Sequence, residues 1–276
     1  MQPVDVFRGE GPIVLGVPHS GTHVPAEIWD KLNATGQKLA DTDWHVDRLY
    51  SDLLPGATMV RANFHRYVID ANRDPEGVSL YPGQNTTTLC PTTDFDGRPI
   101  YLEGQEPGVA EIEARRLSWH APYHAALLAE LERVRAKHGV AILYDCHSIR
   151  SVVPFLFEGT LPDFNTGTNN GATCAPAIEA AVYERTKAAE DYTCVLNGRF
   201  KGGWTTRHYG RPDEGFHAVQ MELAQKTHLA TEDTPFAYDE EKAERLRHHL
   251  KNILGALQDL APALAEQDKK TPGSER

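Results

Sequence analysis

The chain has 276 residues, 40% of them hydrophobic and 24% charged, so it can bury a full core as one large domain and reads as neither disordered nor fibrous. A formal charge of −11 argues against a nucleic-acid partner, whose phosphates the surface would repel, and no apolar stretch approaches the ~20 residues of a membrane-spanning helix. The scattered cysteines Cys90, Cys146, Cys174 and Cys194, with no basic, apolar leader ahead of them, predict reduced thiols in a cytoplasm.

Along the chain, Ile13 to Val17 reads as the first buried strand and ends at Pro18-His19-Ser20-Gly21. Val46, Leu49, Tyr50 and Leu53 recur at helical spacing, with Asp43 placed to cap the start and Pro55-Gly56 to stop the end. Strands are predicted at Thr58 to Arg61 and Tyr67 to Ile69, followed by a long irregular loop from Asp74 to Gly104. A helix covers Val109 to His138, interrupted near Pro122 and closed by Gly139. Strands follow at Val140 to Cys146 and Pro154 to Phe157, then a second irregular loop from Gly159 to Thr173. The remaining elements are a helix over Ala175 to Ala189, strands at Tyr192 to Leu196 and Ala218 to Leu223, and a helix from Asp239 to about Leu264. The polar tail from Gln267 to Arg276 is expected to fray.

Strands alternating with helices predict an α/β fold, a single domain over residues 1–266 with a mainly parallel or mixed central sheet and helices on both faces. Ligands in such sheets bind beyond the carboxyl ends of the strands, and His19, Asn72, His147 and Glu222 fall at or just past such ends. Pro18 stiffens the strand exit before His19 and Gly21 permits close backbone approach, though a histidine there can also be a hydrogen-bonded turn residue. The two-residue period of a strand sends Asp145 and His147 to one face and Cys146 to the other, so Cys146 is expected in the core and Asp145 behind His147. Glu222 sits among apolar neighbours, where burial would raise its pKa toward that of a general base; the alternative is an edge-strand carboxylate facing water. Asn72-Arg73 can fork onto a carboxylate, or Arg73 can simply pair with Asp74 at the surface. Gly202 to Gly210, with Arg207, His208 and two aromatics, reads as a mobile loop that closes on an anion, against a plain turn with an exposed basic residue.

Taken in order, these segments resemble the N-formylglutamate amidohydrolase family. The resemblance is carried by Val-Pro-His-Ser-Gly at 17–21, Asp43 and Asp47, Val-Ile-Asp-Ala-Asn-Arg-Asp-Pro at 68–75 and Leu-Tyr-Asp-Cys-His-Ser at 143–148. It continues in Pro-Asp-Phe-Asn-Thr-Gly-Thr at 162–168, Gly-Gly-Trp-Thr-Thr-Arg-His-Tyr-Gly at 202–210 and Gln-Met-Glu-Leu at 220–223. A more distant likeness is to zinc carboxypeptidases, and with it to the zinc-dependent exopeptidase fold. The resemblance implies hydrolysis of N-formyl-L-glutamate, a small acidic substrate, as in histidine degradation, with one zinc or another first-row divalent cation. His19 and His147 would be ligands and Glu222 the proton carrier. Where carboxypeptidases place a glutamate three residues after the first histidine, this chain has Thr22, so the third ligand is expected from one of Asp43 and Asp47, with the choice open. Asn72 with Arg73 would hold one substrate carboxylate and Arg207 the other, with Arg66 or His208 assisting. A deacylase or desuccinylase of another acidic amino acid and a non-catalytic carboxylate-binding protein remain as alternatives.

Overall fold

The computed structural model describes residues 1–78, 83 and 85–268. Its seven strands form one sheet in the order β1-β3-β2-β4-β7-β5-β6. They are β1 (Val4–Phe7), β2 (Ile13–Val17), β3 (Thr58–Ala62), β4 (Ala141–Ile149), β5 (Phe164–Gly167), β6 (Cys194–Leu196) and β7 (Phe216–Ala224). The centre, β3-β2-β4-β7, is parallel; β1 lies antiparallel on β3, and β5 lies antiparallel on β7 with β6 parallel beyond it. β2, β4 and β7 are buried along their whole length, which is why they read as near-continuous apolar runs.

The pleat sorts these runs between two cores. Ile13, Leu15, Tyr144, Cys146 and Met221 face α2 (Val46–Tyr50), α5 (Pro176–Lys187) and α7 (Glu240–Asp268). Val14, Leu143 and Ala218 face α4 (Ala121–His138) on the other side. Cys146 therefore sits in the core, and Asp145 and His147 share the face of Leu143. All four cysteines are unpaired. The chain passes from β2 to β3 on one side and then crosses back from β3 to β4 on the other side of β2, so a crevice opens between the carboxyl ends of β2 and β4. His19 follows the first of these strands and His147 ends the second.

All four predicted helices are present, preceded by a short one that the sequence did not suggest, α1 (Ala26–Trp29). The break before Pro122 is a π turn, Arg116–His120, between α3 (Val109–Arg115) and α4: Pro122 has no N–H to give, and the widened turn accommodates the loss. Gly139 ends α4 with φ 77°, a conformation glycine adopts without strain. Asp239 caps α7 by accepting from the Lys242 N–H at 3.0 Å, and that helix runs on to Asp268, two residues into the stretch expected to fray; the rest of that stretch, residues 269–276, lies outside the described residues.

Two predicted strands are turns. The Tyr67 to Ile69 segment is fully buried, but its carbonyls are taken by the Arg115 guanidinium at 3.3 and 3.0 Å, so side chains rather than a ladder satisfy its backbone. Pro154 to Phe157 folds into a turn on the Val153 carbonyl, and Pro154 has no N–H for a ladder. Conversely, β1 and β5 were missed. β5 lies inside the second irregular loop and consists of Phe-Asn-Thr-Gly, two of them turn-type residues, so its pairing with β7 and β6 is what makes it a strand. The Gly202–Gly210 stretch is a short helix, α6 (Trp204–Tyr209), not an open loop; Thr205, Thr206 and Tyr209 are buried beneath it. Among the described residues no helix is long and apolar enough to cross a membrane.

Candidate active site and metal centre

His19 is pressed into the crevice by the turn after β2. A Cβ on Gly21 would stand 2.4 Å from the Asn63 carbonyl carbon, so only glycine lets the chain pass this close to the end of β3. The His19 carbonyl accepts the Asp43 N–H at 3.1 Å, which brings the segment before α2 alongside. Asp43 does not cap that helix. Its Oδ2 accepts the Ser148 N–H at 3.0 Å and lies 3.2 Å from His147 Nδ1 and 3.8 Å from His19 Nδ1. Asp47, the other candidate, points away: it pairs with Arg61 at 2.8 Å and is about a third exposed. Four residues separate a crevice residue from a surface one because His45, at φ 61°, turns the chain between them before α2 begins.

The remote ring nitrogens face carboxylates, Asp70 at 2.7 Å from His19 Nε2 and Asp145 at 3.0 Å from His147 Nε2. A carboxylate on one imidazole nitrogen holds the proton there and leaves the other nitrogen's lone pair for a metal. His19, Asp43 and His147 each turn one ligand atom to a common point, all three within 4.8 Å of one another and buried, and the free Nδ1 atoms lie 3.8 and 3.2 Å from Asp43 Oδ2. Ligands ~2.1 Å from a tetrahedral ion stand ~3.4 Å apart, close to the spacings observed, and two imidazoles with one carboxylate leave a fourth position open. The group fits a divalent metal.

The electrostatics agree. Burial lowers the His147 pKa, but Asp145, Asp43 and Glu222 outweigh it and raise it well above the usual value, so the site draws positive charge. Burial would raise the carboxyls of Asp43 and Asp70 too; Arg66 keeps the first below its usual range, Arg73 and His19 the second well below it. Arg66 spans this cluster, donating to Asp43 Oδ1 at 2.9 Å and touching His19 Nδ1.

Glu222 stands opposite His147 in the β4-β7 register. It is buried at the cavity wall, and burial pushes its carboxyl up to about 8, with Asp43 adding to the shift and His147 and Arg66 opposing it. Gln220, two residues earlier on the same face, donates to Glu222 Oε2 at 3.1 Å and accepts the Gly203 N–H at 2.6 Å, which ties the carboxylate to the start of α6. The sequence reading missed Gln220, although the two-residue period that placed Asp145 behind His147 would have found it.

The cavity beside these groups measures about 70 Å³, small against the ~300 Å³ and upward of drug-sized pockets. Asn72 and Arg73 line it. Asn72 Oδ1 accepts the Thr205 N–H at 2.9 Å, and a Cβ at Gly203 would collide with this amide at 2.3 Å. Arg73 is held by the carbonyl and hydroxyl of Thr87, at 3.0 and 2.9 Å, rather than by Asp74. Arg66 lines the cavity too. Arg207 and His208 do not: Arg207 turns back to the Gly202 carbonyl at 2.9 Å, and the exposed His208 ring stacks on Trp204 at 4.3 Å. In their place the wall carries Arg199 and Phe200, from a turn whose composition gave no sign of it.

The family model described as N-formylglutamate amidohydrolase matches residues 11–229. The N-formylglutamate deformylase of Pseudomonas aeruginosa is 46% identical over 251 residues, covering 91% of this chain and 94% of its own, and that of Pseudomonas putida is 44% identical over 91% and 93%. The crystal structure of an N-formylglutamate amidohydrolase from Ralstonia eutropha superposes with a TM-score of 0.75 at 28% identity, covering 98% of this chain and 99% of that one. With the match running from the first core strand past the last, this chain belongs to the N-formylglutamate amidohydrolase family.

Proposed function

We propose that the protein hydrolyses N-formyl-L-glutamate to formate and L-glutamate with a zinc ion held by His19, Asp43 and His147. The observation that carries this reading is the placement of Glu222 beside a buried two-histidine, one-aspartate group in a cavity lined by arginines, in a chain whose relatives bear the deformylase name. A bound divalent cation would supply Lewis-acid polarisation of the reacting oxygens.

The protein's own groups do the rest. Glu222 takes a proton from the attacking water as oxygen adds to the formyl carbon, and returns it to the amine nitrogen as the C–N bond breaks. Burial raises this carboxyl toward neutrality and a cation on His19, Asp43 and His147 would oppose that rise, so the group can both accept and return the proton. Gln220 keeps that carboxylate turned into the cavity. Arg66 places a guanidinium at the same end, where negative charge develops on the formyl oxygen. Asn72 and Arg73 bind one substrate carboxylate. Asp70 and Asp145 hold the imidazoles in the tautomer that presents Nδ1.

The formyl group follows from the name its relatives bear and suits a compact cavity, a place in histidine degradation is what the family resemblance implies, and unpaired cysteines suit a reducing cytoplasm. A panel of N-formyl-, N-acetyl- and N-succinyl-L-glutamate tests the reaction by release of free glutamate. Turnover of the formyl compound above both others is expected; equal or greater turnover of the succinyl compound would mark a desuccinylase instead.

A further inference from the structure

With Arg207 outside the cavity, the second carboxylate of an N-formylglutamate substrate has no assigned partner. We propose that Arg199 binds it as the side-chain carboxylate, leaving the α-carboxylate to Arg73, and that Arg73 and Arg199 together gauge the length of the substrate's side chain. This inference rests on the reading of N-formylglutamate as substrate.

Three arginines line the cavity. Arg66 lies at the chemical end, against Asp43 and His19. Arg73 and Arg199 lie on the loop side and are fixed by the same short segment: Arg199 Nη2 donates to the Asn85 carbonyl at 3.1 Å, Arg73 Nε to the Thr87 carbonyl at 3.0 Å. The Leu156 carbonyl accepts from Arg199 Nε at 2.9 Å, and Phe200 packs under the guanidinium at 5.4 Å. Two carbonyls and a ring set the plane of the fork before any ligand arrives, which lowers the entropy lost when it grips a planar carboxylate.

The spacing suits one chain length. Carbonyls two residues apart stand at most ~7 Å from each other, so the two guanidinium groups hang from neighbouring pegs. The two carboxyl carbons of glutamate are separated by four bonds of ~1.5 Å, a reach of about 5 Å when extended. Each group's own hydrogen bond covers the remainder. Aspartate, one methylene shorter, would leave one guanidinium unpaired.

The test is the ratio of kcat/KM for N-formyl-L-glutamate over N-formyl-L-glutamine, measured for the zinc-loaded wild type, Arg199→Gln, Arg199→Lys and Arg207→Gln. For Arg199→Gln we expect the ratio to fall about 10- to 100-fold, mainly through KM, with Arg199→Lys in between and N-formyl-L-aspartate a poor substrate of the wild type. An unchanged ratio in Arg199→Gln, an equal loss on both substrates, or a loss of the ratio in Arg207→Gln in its place would overturn the proposal. Wild-type protein that releases no formate from N-formylglutamate would overturn the reaction instead. Calorimetric binding of L-glutamate would then decide the clamp, with weaker binding by Arg199→Gln supporting it and equal binding refuting it.

Discussion

The wall that carries His19, Asp43, His147 and Glu222 is made of strand ends, whereas the wall that carries Arg73, Thr87 and Arg199 is made of loops fixed by side chain to backbone bonds. On the first wall the β4-β7 register alone sets His147 opposite Glu222. On the second, each guanidinium is aimed by carbonyls that come from more than a dozen residues away in sequence, such as Asn85 for Arg199 and Thr87 for Arg73. Strand ends present the groups assigned above to the chemistry, and loops pinned by side chain to backbone bonds present those assigned to substrate binding.

Breaking the strand-end wall should have the largest effect. His147→Ala removes a ligand and leaves Asp43 and Asp145 facing each other without a cation, so loss of bound zinc and activity below ~1% of wild type are expected; metal analysis of the purified variant reads it directly. Glu222→Gln keeps the ligands and removes the proton carrier, so zinc content should stay near one per chain while kcat falls at least ~100-fold. Zinc loss in this variant would mean that Glu222 is a ligand and not a base.

A smaller effect tests the support behind that wall. His228 is buried with its Nε2 3.1 Å from the Trp44 carbonyl, beside Asp43, and burial pushes its pKa down to about 4. The unfolded chain takes up the proton below ~6.5 and the native state resists until about 4, so stability is complete above ~6.5 and is lost as the pH falls through that window. The loss should be on the order of 1–3 kcal/mol. Urea unfolding at pH 7 and pH 5 should show a drop that His228→Gln reduces; an equal drop in the variant would assign the acid sensitivity to other groups.

The smallest effect sharpens the contrast between two aspartates four residues apart. Asp47→Asn breaks a part-exposed pair with Arg61 and should cost no more than ~1 kcal/mol, with zinc content and activity retained. Zinc loss on this substitution would return Asp47 to the ligand set in place of Asp43.

The same contrast explains what could be read from the sequence. The parallel core was legible because strands buried on both faces leave continuous apolar runs, and Cys146 and His147 could be sorted by the period of two. The Tyr67 to Ile69 segment misled because burial is all its residues record; Arg115, 46 residues beyond Ile69, is what takes its carbonyls. Asp43 and Asp47 could not be separated by helical spacing, since Asp43 lies before α2 and is oriented by the ends of β2 and β4. Arg199 and Arg207 share the same kind of glycine-rich surroundings, and which one reaches the cavity is decided by α6 and by contacts with Leu156 and Asn85.

The account depends on a cation at His19, Asp43 and His147 acting on a formyl amide. Formate release from N-formyl-L-glutamate should vanish when the protein is stripped of metal by a chelator and should return in proportion to added zinc, saturating near one ion per chain. Undiminished formate release by the stripped protein would contradict it.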